Sequence, residues 1–185
     1  MTQPAIFLDR DGVIIENRAD YVRSWDDVAF LPGALAALAA LAPAPWAVVI
    51  VTNQSAVGQG LLAPEAAEAI NARVVAAIRA AGGRVDAAYL CPHTDADACD
   101  CRKPAPGLLR RAAAELNLDL GRSVMIGDAL SDVLAGRAAG VGRAALVRTG
   151  RGAAQERLPA AAALRPLAVY DTLADALAAL LDRVG

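Results

Sequence analysis

Three aspartates stand directly after short apolar runs, at points where a strand would end. Asp9 and Asp11 follow the run 5–8, and Asp128 follows the run 124–126. Carboxylates that lie close together repel one another unless a cation lies between them, and oxygen ligands of this kind suit Mg2+. Any one of these aspartates alone could instead cap a helix or lie in a turn. As a set they predict a magnesium site.

Asp9 and Asp11 also have a spacing that suits catalysis. Carboxylates two residues apart, just past a strand, can point into one cavity, and Gly12 permits the sharp turn that this requires. One carboxylate can attack an electrophile while the other moves protons. The pair therefore predicts a nucleophile with an adjacent acid/base.

Polar residues elsewhere complete a site for phosphoryl transfer. Thr52 supplies a hydroxyl and backbone donors for phosphate oxygens, Asn53 can orient a neighbour, and Lys103, the single lysine of the chain, can neutralise charge on a transferred phosphoryl group. Polar residues at strand ends are ordinary, and a single lysine can be a solvated surface charge. The prediction of phosphoryl transfer therefore depends on the whole set.

All three cysteines and the only histidine fall within eleven residues, as Cys91, His93, Cys99 and Cys101. Three thiolates and one imidazole form a full tetrahedral zinc set of the closed, structural kind. The alternative is a group of reduced cysteines with an incidental histidine. A disulfide framework is disfavoured because three cysteines leave one unpaired. We expect a zinc-binding loop that orders Arg102 and Lys103 over the site.

The apolar pattern alternates strands with helices along the chain. Strands are predicted at 5–8, 48–51, 87–90, 124–126, 144–147 and 168–170, and helices at 33–41, 64–81, 108–116, 132–139 and from about 171 to 181. The segment 148–166 is rich in Gly, Arg and Ala and is expected to be irregular. Parallel strands need crossover connections, so the pattern predicts an α/β fold, a Rossmann-like doubly wound parallel sheet, in one domain spanning 1–185. Ligands bind such sheets at the carboxyl ends of the strands, where the polar clusters would meet.

Four motifs carry a family resemblance. D-R-D-G at 9–12, T-N-Q at 52–54, R-K-P at 102–104 and G-D-x-x-x-D at 127–132 resemble those of the haloacid dehalogenase (HAD) superfamily. In detail, V-G-Q-G at 57–60 and C-P-H at 91–93 resemble the bacterial heptose-bisphosphate 7-phosphatases, with histidinol-phosphate phosphatases as near relatives. The resemblance implies the HAD fold and an aspartyl-phosphate intermediate.

The resemblance also implies roles for individual residues. Asp9 would attack phosphorus, and Asp11 would protonate the leaving group and then activate water. Mg2+ would be held by the carboxylates of Asp9 and Asp128 and by the backbone carbonyl of Asp11. Asp132 would support these ligands without binding the ion directly. The remaining implied contacts are Thr52 and Lys103 on the phosphoryl group, and Arg102, Asn53, Gln54 and Ser55 on the substrate. Ala129 departs from the pattern, because some relatives have a substrate-binding lysine there.

The chain has no room for the separate cap domain that many members of the superfamily use. Recognition is therefore expected from the short loops 16–21 and 55–60, which suit a small phosphorylated metabolite. The resemblance implies D-glycero-D-manno-heptose 1,7-bisphosphate, cleaved at carbon seven, as the leading substrate. Histidinol phosphate, a broad range of small phosphosugars, a phospho-accepting receiver and an inactive zinc scaffold are the alternatives. Asp11 disfavours the receiver, because an adjacent acid/base hastens loss of the phosphoryl group.

Composition bounds the remaining possibilities. The net charge is -2 and the arginines are scattered, which argues against a nucleic-acid partner. No apolar run approaches the roughly 20 residues that a membrane span needs, and the N-terminus has no pattern of an export signal. We therefore expect a cytoplasmic protein without a membrane partner, and a monomer by default.

Overall fold

Six strands form one parallel sheet in the structure of the chain, a computed structural model that describes residues 2–181. The strands are β1 (Ala5–Leu8), β2 (Ala47–Asn53), β3 (Ala87–Cys91), β4 (Val124–Gly127), β5 (Arg143–Val147) and β6 (Ala168–Tyr170). Their order across the sheet is β3-β2-β1-β4-β5-β6. This is the doubly wound arrangement, in which the winding direction reverses between β1 and β4. The predicted fold class is confirmed.

Helices cover both faces of the sheet. They are α1 (Ala34–Leu41), α2 (Ser55–Gly58), α3 (Pro64–Ala80), α4 (Gly107–Leu116), α5 (Leu130–Ala139), α6 (Gly152–Gln155), α7 (Pro159–Ala162) and α8 (Leu173–Leu181). Short 3-10 turns lie at Trp25–Asp27, Asp95–Asp97 and Leu120–Arg122. α3 begins at Pro64, whose missing N–H is no loss at the first position of a helix.

Alternate residues of the central strands enter two separate cores. Ile6 and Leu8 of β1 join the core under α1, α3 and α8, whereas Phe7 joins the core under α4 and α5. All three side chains are at most 1% exposed. Each such side chain stabilises the fold by about 1.5–3 kcal/mol through burial. The continuous apolar run of β1 therefore reflects a strand that is buried on both faces.

The pairing register of the strands determines where the polar residues that follow them lie. Leu8 pairs with Ile50 of β2 and with Ile126 of β4. The residues that follow these positions therefore meet at one edge of the sheet, and the amide of Asp9 donates a 3.0 Å hydrogen bond to the carbonyl of Ile126. The reversal of winding falls between the same two strands, β1 and β4.

The structure differs from the sequence prediction in four main places, the first of which is the helix α2 inside the predicted loop 55–60. β2 extends through Asn53, so Thr52 and Asn53 are its last two residues. α5 begins at Leu130, two residues earlier than predicted, with Asp132 inside its first turn. The segment 148–166 is not wholly irregular, because it contains α6 and α7.

Residues 2–181 form this one sheet and its flanking helices, with no second sheet between β1 and α1 or between β2 and β3. The assignment of 1–185 to one domain stays a prediction. Among the helices described here, none is long and apolar enough to cross a membrane.

Candidate active site

Three carboxylates meet at the carboxyl ends of β1 and β4. One oxygen each from Asp9, Asp128 and Asp132 lies within 4.8 Å of the others, and all three residues are at least 95% buried. Burial, together with the charge of Asp9, raises the pKa of Asp128 above its usual range. Burial raises the pKa of Asp132 to about 7, despite the opposing effect of Lys103. A buried acidic cluster of this kind needs a cation to stay ionised.

Lys103 provides one cation. Its ammonium nitrogen lies 2.9 Å from Oδ1 of Asp9 and 2.7 Å from Oδ1 of Asp132, and it donates a 2.8 Å hydrogen bond to the carbonyl of Val51. Burial alone would lower the pKa of Lys103, but the charges of Asp132 and Asp9 outweigh burial and raise it. Lys103 is therefore held as a cation inside the site, and it is not a surface charge.

Asp11 lies apart from the carboxylate cluster and is held by other partners. Its carboxylate accepts hydrogen bonds from Gln54 Nε2 at 3.0 Å and from Arg10 Nε at 3.2 Å, and it lies 3.4 Å from the Thr52 hydroxyl. Arg10 is 1% exposed and forms an ion pair with Asp11. The Asp11 side chain is about 20% exposed, so it is in reach of a ligand in the cavity.

Gln54 and Asn53 act on the site mainly through other residues. Gln54 is buried and donates to Asp11 and, at 2.8 Å, to the Thr52 hydroxyl. The Asn53 amide donates to the Lys103 carbonyl at 3.0 Å and its oxygen accepts from the Lys103 N–H at 3.1 Å. Both residues also line the cavity, but these contacts orient Asp11 and the backbone of Lys103.

Arg102 lies at the mouth of the site on the loop that precedes α4. Its guanidinium donates to Asp95 Oδ1 at 2.7 Å, to the Ser55 hydroxyl at 2.7 Å and to the carbonyl of His93 at 3.3 Å. The first and third partners belong to the loop that carries the cysteine and histidine residues. The position of Arg102 is therefore coupled to the order of that loop.

Several residues of the site had no role in the sequence prediction, among them Arg10, Asn17, Thr149 and Arg151, although Asn17 lies in the predicted recognition loop 16–21. Asn17 Nδ2 donates to Asp128 Oδ2 at 3.1 Å, and the backbone N–H of Arg151 donates to the same oxygen at 2.8 Å. Thr149 donates its hydroxyl to the carbonyl of Gly12 at 2.7 Å. Thr149 and Arg151 could have been predicted from the sequence, because they follow the carboxyl end of β5. The other predicted site residues were found by the same criterion, at the carboxyl ends of other strands.

Two glycines allow the backbone to pack against Asp128. Gly12 has φ +86° and Gly150 has φ +57°, and a Cβ atom at either position would lie within 2.4 Å of Asp128 Oδ2. Any other residue would therefore be strained in its backbone and would collide with a buried carboxylate. This close approach explains the glycine in the D-R-D-G motif.

The cysteine and histidine residues form a second cluster, at the end of β3. The ligand atoms of Cys91, His93, Cys99 and Cys101 all lie within 4.8 Å of one another. Contacts within this cluster run from 3.0 Å between the sulfurs of Cys101 and Cys91 to 3.7 Å between those of Cys91 and Cys99. Zinc–sulfur bonds of about 2.3 Å in a tetrahedron put sulfurs about 3.8 Å apart. The cluster therefore has nearly the dimensions of a zinc site.

The thiols of this cluster differ in acidity. Burial opposes ionisation of Cys99, but hydrogen bonds from the Arg102 N–H and the neighbouring thiols lower the pKa of Cys99 to about 7. Burial raises the pKa of Cys91, and burial with the adjacent sulfurs raises that of Cys101. Three thiolates packed so closely would repel one another without a cation, which is the arrangement that a divalent metal stabilises.

A cavity of about 250 Å3 opens over the carboxylates. Its wall includes Arg18, Arg102 and Arg151, as well as the candidate catalytic residues. The two loops predicted to recognise substrate meet here, because Gln59 Nε2 donates a 2.8 Å hydrogen bond to the hydroxyl of Tyr21. The cavity is small and its cations suit a compact anionic ligand.

Known proteins resemble this chain in sequence over most of its length. The D-glycero-beta-D-manno-heptose-1,7-bisphosphate 7-phosphatase of Neisseria meningitidis serogroup A is 40% identical over 147 residues, which cover 80% of this chain and 78% of that protein. The enzyme of the same name from Bordetella bronchiseptica is 42% identical, with 80% and 82% covered. The chain belongs to this phosphatase family. The model for HAD-hydrolase-like proteins also matches residues 100–176.

Structural comparison agrees with this membership. The crystal structure of D,D-heptose 1,7-bisphosphate phosphatase from B. bronchiseptica, complexed with magnesium and phosphate, superposes with a TM-score of 0.88. The two are 38% identical, and the match covers 97% of this chain and 99% of that one. This member of the heptose-bisphosphate 7-phosphatase family is therefore an enzyme with the HAD fold, as its motifs predicted.

Proposed function

We propose that the chain is a magnesium-dependent phosphatase that removes the carbon-seven phosphate from D-glycero-D-manno-heptose 1,7-bisphosphate through an aspartyl-phosphate on Asp9. The observation that carries this proposal is the buried Lys103 ammonium between Asp9 and Asp132, beside Asp128. A nucleophilic carboxylate that accepts a phosphoryl group needs fixed cations around it. The names of the relatives supply the substrate.

Two carboxylates share the chemistry. A carboxylate oxygen of Asp9 attacks phosphorus, the bond from phosphorus to the sugar oxygen breaks, and Asp11 gives its proton to that oxygen. Asp11 then takes a proton from water, whose oxygen attacks the phosphoenzyme and returns Asp9 to its free carboxylate. Gln54 and Arg10 keep Asp11 within reach of both steps. Thr52 and Lys103 would contact the phosphoryl oxygens, as the resemblance of their motifs implies.

The carboxylate cluster fits Mg2+ by its donor set. Asp9 and Asp128 offer carboxylate oxygens, and Asp132 lies close enough to join or orient them. The family resemblance adds the backbone carbonyl of Asp11 as a third ligand. The raised pKa of Asp128, caused by burial and by Asp9, is the condition that a divalent cation would relieve. Bound there, the ion would neutralise charge on the phosphoryl oxygens.

We assign Cys91, His93, Cys99 and Cys101 as zinc ligands, an assignment supported by their spacing in the sequence and their mutual proximity. All four positions are filled by protein atoms, so the role is structural. Asp95 and the carbonyl of His93 hold Arg102 from this loop. Zinc would therefore fix the substrate-binding Arg102 and the adjoining Lys103.

The arginines around the cavity suit a substrate with two phosphates. Arg102, joined to Ser55, lies at the mouth and can contact the phosphate that is not transferred. A cytoplasmic location is supported by the three unpaired cysteines, which a reducing compartment keeps available for metal. The monomeric state and the absence of nucleic-acid and membrane partners stay predictions.

The decisive experiment is steady-state phosphate release with Mg2+ on a panel of substrates. Heptose 1,7-bisphosphate is compared with histidinol phosphate and with several other phosphosugars as kcat/KM ratios. We expect a preference of about a hundredfold or more for the heptose bisphosphate, equivalent to about 2.7 kcal/mol of transition-state stabilisation. A flat profile would contradict the substrate while leaving the reaction class intact. A preference for histidinol phosphate would favour the alternative family.

A further inference from the structure

The carboxylate of Asp128 is already bound by a cationic side chain. Nε of Arg151 lies 3.4 Å from Oδ2 and Nη2 lies 3.3 Å from Oδ1, so the guanidinium faces both oxygens. Oδ2 also accepts from the Arg151 N–H and from Asn17. A carboxylate has about four lone-pair positions for hydrogen bonds or metal ions. These contacts leave little room for another cation.

The same carboxylate is a proposed magnesium ligand. A guanidinium carries a fixed positive charge, and it would repel a divalent ion bound to the same oxygens. The two hydrogen bonds from Asn17 and from the Arg151 backbone carry no charge and need not be lost. The side chain of Arg151 is thus the contact that conflicts with the metal.

The backbone next to Arg151 is held in place by neighbouring contacts, whereas the side chain of Arg151 has room to move. Arg148 is paired with Glu156 at 2.7 Å and with Asp171 at 2.6 Å, and Thr149 is bonded to the Gly12 carbonyl. In contrast, the Arg151 side chain is 56% exposed and borders the cavity. Its guanidinium can therefore turn away from Asp128 into the cavity without moving the backbone.

A phosphoryl group beside the metal would be the nearest anion to a guanidinium released in this way. Guanidinium groups bind phosphate through two parallel hydrogen bonds. We propose that Arg151 exchanges partners during the reaction cycle, giving up Asp128 to magnesium and binding the phosphoryl group in its place. This inference rests on the proposed function, because it requires that Asp128 holds Mg2+ and that the cavity takes a phosphate.

Two calorimetric titrations test the two parts of the proposal. Titration with Mg2+ alone tests whether Arg151 competes with the ion for Asp128, and titration with inorganic phosphate in saturating Mg2+ tests whether Arg151 binds the phosphoryl group. The variant is Arg151→Gln, and the matched control is Arg157→Gln, which removes the same charge from an exposed position of the same segment. We expect Arg151→Gln to bind Mg2+ about threefold or more tightly and phosphate about tenfold more weakly, with Arg157→Gln unchanged. Melting curves establish that each variant is folded.

Arg151→Lys provides a second variant, which keeps the positive charge but cannot form the two parallel hydrogen bonds of a guanidinium. Its affinity for phosphate should fall between those of the wild type and Arg151→Gln. Unchanged or weaker Mg2+ binding in Arg151→Gln, or unchanged phosphate binding, would overturn the proposal. Neither titration depends on which sugar is the substrate, so the result stands even if heptose bisphosphate is not hydrolysed. A wild-type protein that binds no Mg2+ would overturn this proposal and the proposed function together.

Discussion

The ammonium nitrogen of Lys103 lies 2.9 Å from Oδ1 of Asp9, and both residues are almost completely buried. A buried carboxylate loses its hydration, so its ionised form depends on a neighbouring cation. Lys103 supplies this cation whether or not substrate is present. The contact therefore stabilises the fold and also keeps the nucleophile ionised.

Replacing Lys103 by Met should destabilise the protein and abolish turnover. Removal of one partner from a buried ion pair leaves an unpaired charge and costs about 3–5 kcal/mol. Denaturant unfolding in metal-free buffer measures this loss. Arg157→Met is the control, because it removes an exposed cation and should change the free energy of unfolding by less than about 0.5 kcal/mol.

The double variant Lys103→Met with Asp132→Asn separates charge from packing. The double variant should recover part of the lost stability, because the neutral amide of Asp132→Asn replaces a carboxylate that would otherwise be buried without its lysine partner. No recovery would mean that the loss came from packing around the lysine stem.

Asp9→Asn should abolish turnover while the fold and the zinc content stay intact. The amide keeps the volume of the side chain, but it cannot act as the nucleophile, so kcat should fall by about 10^4-fold or more. Phosphate release measures the activity and metal analysis measures zinc. Wild-type turnover in this variant would overturn the aspartyl-phosphate mechanism. Asp119→Asn, an isosteric change in the turn before β4, is the control and should retain full activity.

We expect one zinc ion per chain in the wild type, and Cys99→Ser should reduce this zinc content and lower the melting temperature. Its sulfur also accepts the Arg102 N–H, so the loop that positions Arg102 should loosen and KM should rise. Asp100→Asn, at the next and exposed position of the loop, should leave zinc and KM unchanged. An unaltered melting temperature with full activity would count against a structural metal.

The stabilisation by Mg2+ should increase with pH. The folded-state pKa of Asp132 is raised to about 7 from its usual 3.8, so between these values the folded protein binds more protons than the unfolded chain. The free energy of unfolding of the metal-free protein therefore falls as the pH rises through this window. Mg2+ bound to the ionised carboxylates should offset this loss of stability.

The rise in melting temperature on adding Mg2+ should accordingly be larger at about pH 8 than at about pH 5. Melting curves with and without a chelator measure it at both pH values. An equal rise at both would show that the carboxylate cluster does not bind the ion. In Asp132→Asn the difference between the two pH values should shrink.

The apolar pattern was sufficient to predict the sheet and its functional edge. Runs such as 5–8 are buried on both faces, so neither face needs polar residues and the run ends where Asp9 begins. The cluster of Cys91, His93, Cys99 and Cys101 was equally predictable, since these are the only cysteines and histidine of the chain. Local chemistry therefore predicted most of the residues that the structure brings together, although Asp11 lies apart from the carboxylate cluster and Asp132 is part of it.

Contacts between distant segments were not predictable in the same way. Nothing in the sequence says that Gln54 turns toward Asp11 or that Arg151 reaches Asp128. Both side chains could equally have bound solvent or substrate, and the choice depends on how the elements pack. The segment 148–166 was expected to be irregular because its many Gly, Arg and Ala residues show no clear apolar period. Its short helices α6 and α7 depend on contacts with the rest of the fold.

The proposed zinc ligands and the active-site residues differ greatly in their separation along the chain. The sulfurs of Cys91 and Cys101 that meet in the cluster are 10 positions apart, whereas the bond between Thr149 and Gly12 joins residues 137 positions apart. Closing a short loop costs less entropy than closing a long one. During synthesis on the ribosome, the cysteine loop can bind its ion soon after it emerges from the exit tunnel. The catalytic centre must wait until β5 and the segment after it are made, so the cysteine loop can close while the catalytic centre is still incomplete.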